Sequence, residues 1–281
     1  MSKHLRRHWL GLTGAGVLSM IVVVALLAPL IAPYDPYTQL LDGITADGSP
    51  LPPSAQHLLG TDLLGRDLLS RLLYGARTSL IIGLIANGLS ITIGTLLGVI
   101  AGYLRGLLGA VIMRFTDLMM AFPALLLAIA LSALLEPSLW IVALVIAMVN
   151  WVSIARVIYT ETLSIRERDF VTAARGLGAT SPRILVHHIL PHLLPTILVW
   201  TTLGIATSVL LEATLSYLGI GVRPPVPSWG NIVFENQTYF SSAPWLVFAP
   251  GLAIAMLAFS CNLAGDALRD ILDPRELGQG R

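Results

Sequence analysis

The chain has 281 residues, of which 55% are hydrophobic and 12% charged, and its formal net charge is +1. A soluble protein carries about 25% charged residues, so the composition excludes an ordinary soluble enzyme and places the chain in a bilayer, with no nucleic acid expected as a partner. The lone Cys261 excludes an intrachain disulfide.

Because backbone polar groups in lipid must be satisfied within the segment itself, apolar runs of about 18 residues or more with few or no charges read as helices. Six such runs predict an all-α polytopic fold in one membrane domain, with spans over residues 9–32, 79–103, 107–135, 138–155, 193–217 and 245–265. The first follows a basic start. It is longer than the roughly 7–15 apolar residues of a secretory signal core and ends without a clear cleavage site, which reads as a retained anchor.

Residues 33–78 form a first excursion, opening on Pro33-Tyr-Asp-Pro36 and containing Pro50, Pro52 and Pro53. Leu68, Leu69, Leu72 and Leu73 recur at helical spacing opposite Arg66, Ser70 and Arg71, which predicts a short amphipathic helix lying along the membrane interface. In the second span, Gly94 and Gly98 are a small-x-x-x-small pair that favours close helix approach. Asn87 in the same span reads as an interhelical hydrogen-bonding residue or, less directly, a pathway residue. Arg114 and Asp117, three apart at the start of the third span, could meet on one helix face as a structural ion pair.

Between the fourth and fifth spans lies a polar segment, residues 161–191. Its core, Asp169 to Pro191, reads as a short helix, a glycine turn and a second short helix. Ser181-Pro182 is a helix-start pair, a capping hydroxyl followed by a proline whose missing N–H is no loss there. Pro191 should block smooth continuation into the fifth span. Ala173, Ala174, Gly176 and Gly178 leave little bulk at the turn, so a partner surface could come close to the backbone. His187, His188 and His192 lack a carboxylate or cysteine at ligand spacing, and no metal site is expected.

Glu212 falls in the outer half of the fifth span. An ionisable residue within a span is a functional candidate by default: Glu212 either contacts substrate or a pore partner, or is a buried carboxylate held by a neighbouring helix. A second excursion, residues 218–244, includes Arg223-Pro-Pro-Val-Pro227, whose prolines hold it extended.

Lys and Arg accumulate on cytoplasmic loops. With the amino terminus inside, 13 of the 17 basic residues fall on or near the cytoplasmic side, among them Arg105, Arg156, Arg166, Arg168, Arg175, Arg183, Arg269, Arg275 and Arg281. Arg66, Arg71, Arg77 and Arg223 are left outside. Both termini and the 161–191 segment are then cytoplasmic, in a multi-pass membrane protein.

The segment Asp169–Pro191 resembles the cytoplasmic coupling loop, or EAA loop, of ABC-importer permeases, in which Glu-Ala-Ala is followed by a spaced Gly and a Leu-Pro pair. Ala173, Ala174, Gly178, Leu190 and Pro191 fall on that pattern, while Thr172 stands in place of Glu and His188 in place of Ile. Together with Gly60–Ser79, Gly219–Asn231 and Asn262–Pro274, the chain resembles the dipeptide/oligopeptide/nickel permease family over nearly its whole length. The resemblance implies a type I importer permease fold, and ATPase coupling through Asp169, Thr172, Ala173, Ala174, Arg175, Gly178, Pro182, Leu190 and Pro191.

It also implies a homologous second permease chain, two cytoplasmic ATPase subunits or domains and an extracytoplasmic binding protein. Transport of di- or oligopeptides is the first expectation, nickel or a metal chelate the alternative. A Walker A loop needs a lysine at the phosphates, and the sole lysine is Lys3. The chain is therefore not itself an ATPase and carries no cofactor, ATP and Mg being bound by the partner subunits. A stand-alone secondary transporter is the competing class; it would show internal repeats and midplane charge, and neither is visible.

Overall fold

The computed structural model describes residues 3–104, 106–136 and 138–272, with side chains from Trp9 onward. Arg105, Arg275 and Arg281, and the side chains of Lys3, Arg6 and Arg7, lie outside the described residues. The elements are α1 (Lys3–Ile31), α2 (Leu68–Leu104), α3 (Gly106–Met120), α4 (Ala124–Leu134), α5 (Leu139–Arg166), α6 (Asp169–Gly176), α7 (Ser181–Ile184), α8 (Leu190–Tyr217), α9 (Trp229–Asn236) and α10 (Trp245–Leu272). Five helical segments, α1, α2, α5, α7 with α8, and α10, are long and apolar enough to cross a bilayer; α3 and α4, bent by 90°, make a sixth if taken as one broken span.

Several predicted boundaries move. The interfacial helix expected around Leu68–Leu73 does not exist as a separate element, because α2 runs unbroken for 37 residues and absorbs it. Arg66, Ser70 and Arg71 are buried along with Leu68, so the polar side of that stretch faces protein, where it finds ionic partners. The third span is broken at Ala121–Pro123, since the residue before a proline is driven out of the helical region and the proline then opens a new helix. The fourth and sixth spans run on to Arg166 and Leu272.

Pro191 does not interrupt the chain either. A π-helical turn, Leu185–Ile189, joins α7 to α8, and Pro191 sits in the first turn of α8. There its missing N–H is one that the helix start leaves unbonded, and the wider turn absorbs the change of register.

Packing centres on α2 and α5. A Cβ on Gly94 would lie 2.7 Å from Cβ of Ile154, one on Gly98 2.7 Å from the Ala155 carbonyl, and one on Gly102 2.7 Å from Cβ of Thr162. Three glycines at four-residue spacing thus form a groove along α2 that receives one face of α5, and the partner left open by the Gly94/Gly98 pair is identified. Further along, Gly83 receives Val209 of α8. The first helix lies antiparallel to α10, with Gly11 against Ala267 and Gly14 against Leu263. The start of α1, the ends of α2, α5 and α10, and α6 with α7 are therefore gathered at one end of the bundle.

Residues 32–67 and α9 are locked together at the opposite end. Asp62 accepts from the backbone N–H groups of Leu64 and Arg66, both at 2.9 Å, and from Nε of Arg66 at 2.7 Å. Glu235 of α9 then receives Arg66 at 2.8 Å and Arg71 at 2.6 Å through one oxygen. Asp67 starts α2 by accepting from the N–H and hydroxyl of Ser70, each at 2.8 Å, and its other oxygen lies 3.0 Å from Nδ1 of His57. The side chains of this network are buried, apart from a slight exposure of Glu235.

Removing one member of a buried ionic network leaves the others charged and unsatisfied, which costs about 3–5 kcal/mol. Glu235→Ala is therefore expected to lower the thermal unfolding temperature of the purified protein in detergent by much more than Glu235→Gln, which retains an acceptor. Gly98→Leu should likewise abolish a monodisperse folded species, whereas Gly88→Leu, at a position where a Cβ meets nothing within 4 Å, should leave it intact; size-exclusion chromatography reads both.

Candidate coupling and translocation sites

The Asp169–Pro191 segment is built on a packed apolar base. Val171, Ile184, Ile189 and Leu193 are buried and cluster with Ile158 and Ile165 of α5 and Tyr103 of α2, fixing α6, α7 and the start of α8 to the main bundle. Phe170 stacks on His192 with ring centroids 4.7 Å apart and meets His188 at 6.4 Å. Those histidines serve as aromatic packing partners, and His188 in the pattern's Ile position fills an apolar role. Arg166 places its guanidinium 5.6 Å from the centroid of Tyr103 and donates to that residue's carbonyl, tying the end of α5 to the end of α2.

From this base α6 projects a tip of small residues. Its N–H-rich start carries Asp169, favourable at the positive end of a helix. After Gly176 the chain turns through Gly178 at φ +81°, a left-handed conformation open to glycine at little cost. The turn is closed by hydrogen bonds of 3.0 Å from the N–H groups of Leu177, Gly178 and Ala179 to the carbonyls of Ala173, Arg175 and Ala174. Thr172, Ala173, Arg175, Gly176, Gly178, Pro182 and Pro191 are exposed, and Ala174 and Leu190 half-buried.

Leu177 is 89% exposed at the tip. Spacing and residue size single out the small residues around it and pass over this leucine; an apolar residue between two glycines, out of phase with the buried Val171 face, is the signal that marks it. Ser181 is not a cap: α7 begins at Ser181 with Thr180 preceding it and no side-chain cap bond, and the Ser181 hydroxyl accepts instead from the Tyr103 hydroxyl at 3.4 Å.

The expected Arg114–Asp117 pair is not formed. Asp117 pairs with Arg156 of α5, because the α5 wall lies beside the Asp117 face of α3 while Arg114 is exposed on another. The charge pair ties α3 to α5 and is structural, though between different partners from those expected.

Asn87 and Glu212 separate into different surroundings. Asn87 donates to the Thr201 carbonyl at 2.6 Å, and its Oδ1 occupies the space where Gly204 would carry a Cβ. It also borders a 170 Å³ cavity shared with Asn150, Ser153, Trp200 and Thr207. Glu212, by contrast, is fully buried and accepts from Ser216 at 2.7 Å and Ser79 at 3.0 Å. The same two hydroxyls accept backbone N–H groups of the second excursion, Ser79 from Trp229 and Ser216 from Val222, each at 3.3 Å. Glu212 thus ties α2, α8 and the second excursion together in a closed site and does not border the Asn87 cavity.

Comparisons with known proteins bear on the family and the fold. Residues 94–277 match the family model described as binding-protein-dependent transport system inner membrane component, and residues 1–53 match the N-terminal transmembrane domain of oligopeptide transport permease C. The chain is 39% identical to the dipeptide transport system permease protein of Alkalihalophilus pseudofirmus over 97% of its own length and 88% of the relative's. It is 43% identical to the di/tripeptide transport system permease protein of Pseudomonas aeruginosa over 92% and 87%, and 40% identical to the glutathione transport system permease protein of Escherichia coli over 98% and 90%. An inward-facing structure of the MetNI methionine ABC transporter shares the fold with a TM-score of 0.60 at 18% identity, covering 73% of this chain and 98% of that one.

A permease of this kind is not catalytic; ATPase and binding-protein partners are implied by the family, ATP being handled by the former, and the stand-alone transporter reading falls. The chain belongs to the family of multi-pass inner-membrane permeases of binding-protein-dependent ABC transport systems, in the dipeptide and oligopeptide permease group.

Proposed function

We propose that this chain forms one half of a translocation pathway for short peptides, beside a homologous second permease chain. In this reading α6 and α7 face the cytoplasm with both termini, the ATPases dock on the tip at Ala173–Gly178, and ATP with its Mg is bound wholly by those subunits. The observation that carries the reading is that tip: small, exposed and centred on Leu177, held on an apolar base that the end of α5 and the start of α8 share. A bare patch of small residues around one protruding apolar side chain suits a knob entering a cleft, while Asp169 and Arg175 supply a polar rim.

Charge supports the sidedness. Arg66 and Arg71, two of the four basic residues on the opposite side, are neutralised in the buried network with Asp62 and Glu235. Arg168, Arg175 and Arg183 at the coupling end are exposed, which is where a retained positive charge resists translocation. Peptide is favoured as substrate by the similarity to permeases named for dipeptide and di/tripeptide transport. Alternating access then follows when closure of the ATPases displaces the tip and, through the shared apolar base, α5 and α8.

Truncating or charging a central anchor of an interface costs about 2 kcal/mol or more, roughly thirtyfold in affinity. Leu177→Asp should accordingly strip the ATPases from the permease during co-purification and abolish ATP-driven uptake, with the permease itself still folded; full assembly and uptake would overturn the docking site. Sidedness is testable because the native Cys261 is buried. In intact cells a membrane-impermeant maleimide should label Leu41→Cys, on a fully exposed residue of the first excursion, and should label Leu177→Cys after permeabilisation alone. The reverse pattern would invert the topology.

A further inference from the structure

Two cavities follow one another along α8. The larger, 520 Å³, lies at the coupling end between α5, α8 and α10, and its walls carry Glu161, Thr196, Trp200 and Arg269. The smaller is the cavity beside Asn87 at the middle of the bundle. Trp200 and Leu203 border both, so these two side chains are the partition between them.

The larger cavity holds opposite charges that do not neutralise each other. Glu161 on α5 and Arg269 on α10 form no ion pair with each other or with any other described residue. One carboxylate oxygen of Glu161 accepts from the Thr196 hydroxyl at 2.8 Å, which orients the group and leaves Oε2 for a further donor. Other acid–base neighbours on this chain do close on each other, as at Asp117–Arg156 and Asp62–Arg66. Glu161 is half-buried and Arg269 exposed at the mouth of the cavity, so both charges are open to a ligand entering it.

A ligand satisfying both walls at once must carry a cation at one end and an anion at the other, and a volume of this size suits a molecule a few residues long. Resting on the peptide-permease reading above, we propose that Glu161 and Arg269 bind the free amino and carboxyl termini of a short peptide on the coupling side of Trp200. The ammonium group meets Glu161 Oε2 and the carboxylate meets the Arg269 guanidinium, whose planar fork matches it. Trp200 supplies an apolar wall that accepts varied side chains. Recognition of termini and not of side chains is what one site needs in order to hold many peptides.

The test uses the complete complex of both permease chains and the ATPases in nanodiscs, without binding protein or nucleotide. Equilibrium competition against labelled Ala-Ala-Ala is read for the free, N-acetylated and C-amidated tripeptides. In the wild type each block should weaken binding roughly tenfold, the size of one hydrogen bond to a charged group. Glu161→Gln should erase the penalty of acetylation and keep that of amidation, and Arg269→Gln should do the opposite. Glu161→Asp and Arg269→Lys, which keep the charges, should retain both preferences.

Equal penalties in wild type and the neutralising variants, or a wild type indifferent to the blocks, would overturn the site. The same preparation, supplied with binding protein and ATP, is assayed for tripeptide uptake. Absence of uptake defeats the peptide-permease reading, whereas uptake combined with flat discrimination defeats the terminal-binding site alone.

Discussion

The fit of α5 into the glycine groove of α2 governs the rest of the molecule. With Gly94, Gly98 and Gly102 admitting Ile154, Ile158 and Thr162 to backbone contact, the two helices approach as closely as their main chains allow. In a bilayer, where apolar side chains gain little by leaving lipid, such close van der Waals contact is a main source of helix association. Everything at the coupling end is hung from this pair: Arg166 closes on Tyr103, the apolar base of α6 and α7 fills the corner between them, and Asp117 brings α3 against α5.

The two ends of the bundle solve opposite problems. At the excursion end the chain turns its charges on itself: Asp62, Arg66, Arg71, Glu235, His57 and Asp67 interlock, so that a proline-rich segment with little regular structure acquires a fixed shape. At the coupling end the basic residues and the small-residue tip stay exposed, available to a partner. Under the proposed docking at the small-residue tip, a self-satisfied structure on one face and an open surface on the other suit a chain that holds one boundary of a pathway and receives force at the other.

Much of this was legible in the sequence, because hydropathy and residue spacing report directly on what a bilayer demands. The helical spans and the close approach at Gly94 and Gly98 follow from those signals. What was misread depended on long-range partners. Arg66, Ser70 and Arg71 have the periodicity of an interfacial helix, and nothing local reveals that Glu235, 164 residues beyond Arg71, will receive two of them. Asp117 has a nearer basic neighbour in Arg114, yet the side of α3 it occupies faces α5. Pro191 signals a break to any local rule, and a π turn over Leu185–Ile189 removes the conflict. Glu212 stood equally for ligand contact and for burial, and three-dimensional proximity to Ser79 and Ser216 decides for burial.

The unbroken run from α7 through the π turn into α8 has one more meaning. Its far end is pinned, since Glu212 and the hydroxyls around it nail α8 to α2 and the second excursion, while its near end carries the segment proposed to dock the ATPases. A stiff member anchored at one extremity and pushed at the other swings about the anchor, and displacement grows with distance from that fulcrum. Trp200, twelve residues from Glu212 and about 18 Å along the helix axis at 1.5 Å per residue, would sweep a wider arc than any residue nearer the anchor, so a small tilt shifts the partition between the two cavities while the Glu212 end stays in place.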